Sequence, residues 1–310
     1  MTQFTTRSGV PISRFAFGCM QWGGRADPDQ SRATYEAAIA AGINHFDTAY
    51  VYTDGMSETL LGQFVTDPDS HFIATKAAYT GGSGRQNILE KFDISRQRLG
   101  MDRVDMLYLH RFDDDTPLEQ TFETLALLQS NGTIRHIGVS NFAAWQVMKA
   151  QNVAAQFGTK IDAIQPMYNL VKRQVESEIL PVCADQDIQV FSYSPLGGGL
   201  LTGKYVAPDC GGRLENDARY AARYGQDWMH DAATGLAQIA DEMNVPTATL
   251  AVAWLAHHAP QVSPILSARN ADQLKPSLDG MTYALAPEIV DRITALSRTP
   301  APATDRIEEA

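Results

Sequence analysis

Four side chains could act as a chemical set: Asp47, Tyr52, Lys76 and His110. A carbonyl that accepts hydride becomes an alkoxide and needs a proton at its oxygen. A tyrosine hydroxyl can supply that proton, but it titrates near 10 in water, too high for efficient transfer at neutral pH. A neighbouring ammonium favours the phenolate and lowers that value. A carboxylate paired with the ammonium fixes its position, and a histidine N–H aimed at the same oxygen stabilises the charge that develops there. Taken singly, these residues read as an ion pair, a loop tyrosine and a core histidine. What marks them as a set is their order, at or just past the ends of three successive apolar runs.

Those runs are Phe15–Phe17, His45–Asp47, Phe72–Thr75, Val104–His110, His136–Val139, Ile161–Ile164, Ile188–Ser192 and Val262–Ser267. They are rich in Val, Ile, Leu and Phe without strict alternation, as strands covered on both faces should be. The first seven begin at residues 15, 45, 72, 104, 136, 161 and 188, the spacing of a strand plus a helix. Helical patterns lie between them: Gln30–Ala41, stopped by Gly42; Leu118–Ser130, with Phe122, Leu125 and Leu128 on one face; Val175–Asp185; and Ala232–Met243. The pattern predicts a (β/α)8 TIM barrel and one domain over residues 1–310. Thr5–Arg7 and Val10–Ser13 flank Ser8-Gly9, a β-hairpin signal placed to cap the barrel bottom. A doubly wound open sheet is the alternative, but it would not need that hairpin. No G-x-G-x-x-G follows any strand either, since Gly81-Gly82-Ser83-Gly84 has the wrong spacing. Leu196–Asp231 reads as a long functional loop after strand seven. The tail from Thr299 to Ala310 is Pro/Ala-rich and then acidic, and is expected to be poorly ordered.

Active sites of such barrels form at the C-terminal ends of the strands. Strand two ends at Asp47, with Tyr52 five residues on; strand three ends at Lys76 and strand four at His110. Ser140-Asn141, Gln165 and Tyr193-Ser194 end strands five, six and seven. All of these are expected on one rim, with Trp22 and Tyr50 as substrate-pocket walls and Trp228 a weaker candidate. Asp113–Asp115 lacks metal-ligand spacing and reads as a solvated loop and helix N-cap, and His257 and His258 point to different faces of a helix, so no metal is expected.

Bulk properties narrow the partners. With 25 Lys and Arg against 36 Asp and Glu, the formal charge is 25 − 36 = −11, which disfavours nucleic acid and anionic membranes. No apolar run reaches the roughly 20 residues that span a bilayer, and Met1–Arg7 has no signal-peptide core. Cys19, Cys183 and Cys210 are sparse and odd in number, which suggests reduced thiols in the cytoplasm. Composition leaves monomer or homodimer open. A barrel isomerase or lyase without a cofactor is a further alternative.

Six stretches in order resemble the aldo-keto reductase superfamily over about Phe15 to Leu278. They are His45-Phe-Asp-Thr-Ala-Tyr-Val-Tyr52, Ser57-Glu-Thr-Leu-Leu-Gly62, Phe72-Ile-Ala-Thr-Lys76, Val104-Asp-Met-Leu-Tyr-Leu-His110, Ile137-Gly-Val-Ser-Asn-Phe142 and the strand-seven motif Phe191–Tyr205. The segment Tyr168–Pro181 resembles aflatoxin-aldehyde-reductase-like members and their bacterial relatives. The resemblance implies that Tyr52 is general acid in reduction or base in oxidation, tuned by Lys76 and Asp47, while His110 orients the substrate carbonyl. It implies that Ser140, Asn141 and Gln165 hold the nicotinamide carboxamide and that Tyr193 stacks on its ring. Ser194, Leu196, Gly198, Leu200 and Lys204 would cover the pyrophosphate, and Ser267, Arg269, Gln273 and Ser277 would hold the adenosine end. NADPH is the implied cofactor, NADH the lesser choice, and the substrate a small carbonyl or alcohol. Thr53, Ser267 and Ser277 depart from the residues common at their positions. The family also contains cofactor-binding regulatory β-subunits of larger assemblies, a second functional class.

Overall fold

A computed structural model describes residues 4–206, 212–306 and 308. Eight strands are each paired in parallel with the next, and the eighth closes on the first. They are β1 (Ala16–Gly18), β2 (His45–Asp47), β3 (Phe72–Ala77), β4 (Val104–Leu109), β5 (Ile134–Ser140), β6 (Ala163–Gln165), β7 (Gln189–Ser192) and β8 (Val262–Leu266). Helices α1 (Pro28–Ala40), α2 (Met56–Phe64), α3 (Arg85–Leu99), α4 (Leu118–Ser130), α5 (Ala144–Gln156) and α6 (Ile179–Asp185) surround the first six strands. Beyond β7 come α7 (Arg213–Asn216), α8 (Ala218–Tyr224), α9 (Asp227–Glu242) and α10 (Thr247–His258); α11 (Ala271–Thr282) and α12 (Pro287–Thr294) follow β8. This is the closed (β/α)8 barrel that the strand spacing predicts.

The strands are apolar on both faces because each face meets a core. Phe17, Phe46, Ile73, Leu107, Val139, Ile164 and Leu266 pack outward with the helices. Their neighbours Ala16, Phe72, Ala74, Met106, Tyr108, Ala163, Phe191 and Ile265 form the barrel interior. Successive strand side chains alternate in direction. Counting in steps of two from these interior residues brings Lys76, His110, Gln165 and Tyr193 inward at the C-terminal end, and counting from His45, whose ring meets Phe72 and Phe191, brings Asp47 there too. Small interior residues make room for large ones: a Cβ at Gly138 would lie 2.3 Å from the Tyr108 ring.

The N-terminal end is plugged. Phe4 meets Phe72 and Phe191 edge-on, with ring centroids 5.7 and 5.9 Å apart. Gly9, at φ 84°, turns the chain, and Thr5 and Pro11 form an antiparallel bridge. The hairpin is therefore a single bridge rather than two paired strands, but it caps the barrel bottom as expected. Buried Asp105 anchors it, 3.3 Å from Arg7 Nε and 3.0 Å from Arg135 Nη1, while Arg135 Nη1 also donates to the Thr5 carbonyl at 2.7 Å.

Three expectations shift in detail. The helix expected over Val175–Asp185 is a short turn at Gln174–Glu176 followed by α6. Pro181 has no amide hydrogen, so it is tolerated only in the first turn of α6 and forces the helix to begin beside it. The expected loop Leu196–Asp231 contains 3-10 turns at Gly197–Thr202 and Lys204–Val206, then α7, α8 and the start of α9. Cys210 lies outside the described residues. Asp113–Asp115 does not cap α4, whose cap position is Pro117. Instead Asp113 Oδ2 accepts from the Ser83 amide at 2.7 Å and ties the loop after β4 to the loop after β3.

Candidate active site at the C-terminal rim

Asp47 and Lys76 form a buried ion pair between Oδ1 and Nζ. The Lys76 ammonium also donates to the Thr48 carbonyl at 2.8 Å and sits over the Tyr52 ring, 4.9 Å from its centroid. The Tyr108 ring lies on another side of Nζ, with its centroid at 5.9 Å. The chain after β2 follows β3, with the Thr48 amide donating to Ala74 O at 2.9 Å and the Tyr50 amide to Lys76 O at 3.1 Å. It then turns through Thr53 (φ 47°), Asp54 (φ 53°) and Gly55 (φ 93°) into α2. Left-handed backbone costs a non-glycine residue about 1–2 kcal/mol. Thr53 offsets this with two side-chain bonds, to Trp22 O at 2.7 Å and from the Ser57 amide at 3.0 Å. The result aims Tyr52 across the rim at His110, whose ring meets it edge-on with centroids 5.8 Å apart.

The electrostatics differ from the simplest expectation. Burial pushes Tyr52 above its ordinary value, outweighing the ammonium and hydrogen bond of Lys76, which pull it down. Burial opposes the charge on Lys76, but Asp47 and then Tyr52 more than offset that and raise it. Burial, reinforced by Lys76 and Arg111, holds His110 at about 3, so its imidazole is neutral near pH 7 and offers one N–H.

The residues ending the later strands join this group in a continuous polar chain. Tyr193 OH donates to Asn141 Oδ1 at 2.7 Å, and Asn141 Nδ2 donates to His110 O at 3.0 Å and to Ser140 Oγ at 3.1 Å. Ser140 Oγ donates to Gln165 O at 2.8 Å, and Gln165 Nε2 donates to Asp47 Oδ2 at 2.8 Å. Ser194, at φ 60°, follows Tyr193, and its carbonyl accepts from Asn169 Nδ2 at 2.9 Å. Leu196 and Leu200 flank glycines in left-handed conformation. A Cβ at Gly198 would lie 2.6 Å from the Tyr220 ring, so α8 packs directly on that turn. Lys204 is exposed, its Nζ 4.6 Å from the Tyr205 ring centroid. Past β8, the Ser267 hydroxyl is buried and unpartnered among the described residues. Exposed Arg269 reaches Gln273 Oε1 at 3.3 Å, at the start of α11, and Ser277 is buried within that helix.

Two proposed pocket residues lie elsewhere. Trp22 is wholly buried: its Nε1 donates to Thr34 Oγ1 at 2.9 Å, and its ring packs on Phe17 and Phe64. The bridge from Trp22 to Ala26 folds it under α1 instead of over the rim. The Tyr50 ring faces α3, with the Arg98 guanidinium 4.7 Å and Lys91 Nζ 5.3 Å from its centroid. Cys19 is buried, and burial pushes its thiol well above the ordinary value, which suits packing and not nucleophilic work. Sequence reasoning passed over Tyr79, whose exposed ring lies 4.9 Å from that of His110 and carries the Arg111 guanidinium 5.4 Å above it. Its position just past the end of β3 was the available signal. Tyr108 was passed over too, although it stands two residues before His110 and so shares its inward face.

A parallel eight-stranded barrel with buried charged and aromatic groups gathered at its C-terminal mouth has the layout of a barrel enzyme. The Aldo/keto reductase family model matches residues 14–298, and the chain belongs to that family. It is 33% identical to a probable voltage-gated potassium channel subunit beta of Oryza sativa subsp. japonica, over 94% of each chain. It is 32% identical to human aflatoxin B1 aldehyde reductase member 2, over 92% of this chain and 87% of that one. Among solved structures, the glycerol dehydrogenase of Gluconobacter oxydans superposes with a TM-score of 0.79 and 29% identity, covering 93% of this chain and 92% of the other. Family and fold make the chain a carbonyl oxidoreductase type.

Proposed function

We propose that the protein reduces aldehydes or ketones to alcohols, or runs the reverse oxidation, with NADPH as hydride source and Tyr52 as proton donor. The observation that carries this is the buried Asp47–Lys76 pair beneath the Tyr52 ring, with a neutral His110 edge-on to it. When bound, reduced nicotinamide would supply the hydride for the carbonyl carbon. The remaining work falls to the chain. The His110 N–H orients the carbonyl oxygen and stabilises its growing charge, and Tyr52, kept protonated at neutral pH by burial, gives that oxygen a proton. Lys76 stabilises the phenolate left behind, and Asp47 keeps Lys76 in place.

The later strand ends suit a nicotinamide dinucleotide. Ser140, Asn141 and Gln165 present amide and hydroxyl groups beside Tyr193, a flat aromatic surface. The positive-φ glycines from Gly197 to Gly199 let backbone approach a pyrophosphate, with Lys204 nearby. The unpartnered Ser267 hydroxyl and the exposed Arg269 fork fit the adenosine end, and Arg269 favours NADPH over NADH because a guanidinium binds a 2′-phosphate bidentately. Cys19 and Cys183 are buried free thiols, in keeping with a cytoplasmic site of action.

Oxidation of NADPH and of NADH against a panel of aldehydes, ketones and sugars tests this directly. Turnover with NADPH favoured is expected. Tight NADPH binding without turnover across the panel would favour instead the reading suggested by the channel subunits among the relatives, a cofactor-binding regulatory subunit.

A further inference from the structure

Gln165 stands at the end of β6 and Asp47 at the end of β2, on opposite sides of the closed barrel. They are 118 residues apart in sequence, yet Gln165 Nε2 reaches across the mouth to Asp47 Oδ2 at 2.8 Å. A carboxylate paired with an ammonium only accepts hydrogen bonds, so the amide must turn its NH2 toward Asp47. The amide also lies beside the Tyr108 hydroxyl. Gln165 has little freedom to do otherwise. Its backbone carbonyl accepts from Ser140 Oγ at 2.8 Å and from the Asn141 amide at 3.3 Å, and the residue is 2% exposed.

The two oxygens of Asp47 are thereby divided, Oδ1 to Lys76 and Oδ2 to Gln165. The Lys76 ammonium is held in the same way: Asp47 and Thr48 O take hydrogen bonds from it, and the Tyr52 ring centroid lies 4.9 Å away. We propose that Gln165, which the reading above already sets among the nicotinamide-holding residues, is also a positioning residue, its NH2 fixing Asp47 and through it Lys76 and Tyr52. This rests on the reductase reading given above. It ties cofactor docking and the proton donor to one side chain.

The bond to Asp47 has an electrostatic consequence. Without a donor on Oδ2, the negative charge of Asp47 is felt more strongly at Lys76 and Tyr52, and a stronger negative field raises a phenol's titration point. The other titratable groups around the pair are Cys19 after β1, His45 one layer below on β2, Tyr108 and His110 on β4, Tyr193 after β7, and Tyr220 on α8. Of these, Tyr108 interacts with Gln165 directly, and subtracting a Tyr52→Phe counterpart removes its change from the reading.

The test is Gln165→Met, close in size and without the amide, measured with NADPH and with its 3-acetylpyridine analogue, which lacks the amide N–H. Reduction needs protonated Tyr52, so kcat falls as pH rises through the titration of that hydroxyl. In Gln165→Met this alkaline limb should move up by roughly half a unit to one unit with both cofactors. In the unmutated enzyme, the analogue should raise KM and leave the limb in place. A limb that stays put in Gln165→Met, or moves only with NADPH, overturns the link to Asp47. If the variant turns over too slowly, the ultraviolet tyrosinate titration of Gln165→Met, less that of its Tyr52→Phe counterpart, should show the same upward shift. No shift there also overturns the proposal. That titration needs no turnover, so it stands apart from a failure of the proposed reaction in the unmutated protein.

Discussion

The barrel carries a buried charge cluster at each end, and the two differ in what surrounds them. At the N-terminal end, Asp105 is shared between Arg7 and Arg135 and also accepts from the Ile73 amide at 2.9 Å. The Phe4 segment closes over it, and its contacts go to backbone and to the plug. At the C-terminal end, the Asp47–Lys76 pair is as deeply buried but is left next to a tyrosine hydroxyl, a neutral histidine and the exposed ring of Tyr79. Burying charge is costly at both ends. At the bottom the return is a pinned chain terminus. At the top it is a poised proton donor. The same physical device is structural where every neighbour is satisfied within the fold, and chemical where one neighbour faces the mouth.

This contrast can be broken by substitution, and Lys76→Met should have the largest effect. It leaves Asp47 buried without its cation, a loss of about 3–5 kcal/mol of stability. It should also cut turnover by about 10²–10⁴, the usual contribution of acid–base assistance. Thermal melting and steady-state kinetics read the two effects, and full activity would refute the tuning role. Asp105→Asn should lower stability by a similar or smaller amount, about 2–4 kcal/mol, while kcat of the folded protein stays within about twofold. A large kcat loss there would mean that the two ends are not separate.

A smaller effect comes from two buried histidines. His45, under the rim between Phe72 and Phe191, and His110 are each held at about 3, by burial first and Lys76 second. In the unfolded chain they titrate near 6.5. Between those values the unfolded chain binds more protons, so stability should fall as pH drops from about 6.5 toward 3, with no contribution above that window. Carboxylates overlap the lower part of the range, so the useful quantity is the difference between the unmutated protein and His45→Leu. Denaturant unfolding across pH 4–7 should show a slope shallower by up to one proton in the variant. Equal slopes would mean that His45 is protonated in place.

Much of the rim was legible in the sequence because an apolar strand that ends in a polar residue announces both its length and its direction. Lys76, His110, Gln165 and Tyr193 were found that way. Trp22 misled because it also follows a strand, and only the turn after β1 decides whether its ring covers the mouth or goes under α1. Tyr50 misled similarly: it sits between Asp47 and Tyr52, but two cationic side chains of α3 draw its ring outward. The hydrogen bond from Gln165 to Asp47 was out of reach, since strand order puts β6 opposite β2 but does not say which side chains meet across the mouth. The Arg7–Asp105–Arg135 cluster was hidden for the same reason. Helix α8 was missed because a seven-residue helix after a glycine-rich turn carries too little periodicity to separate it from loop.

The central claim is that Tyr52 donates the proton, and Tyr52→Phe tests it with the least disturbance, since the ring that covers Lys76 is kept. NADPH binding, followed by fluorescence quenching, should be unchanged within a few-fold, while reduction of any carbonyl that the unmutated protein accepts should fall by about 10²–10⁴. A Tyr52→Phe protein that binds NADPH and reduces the same carbonyl at an undiminished rate would contradict the account.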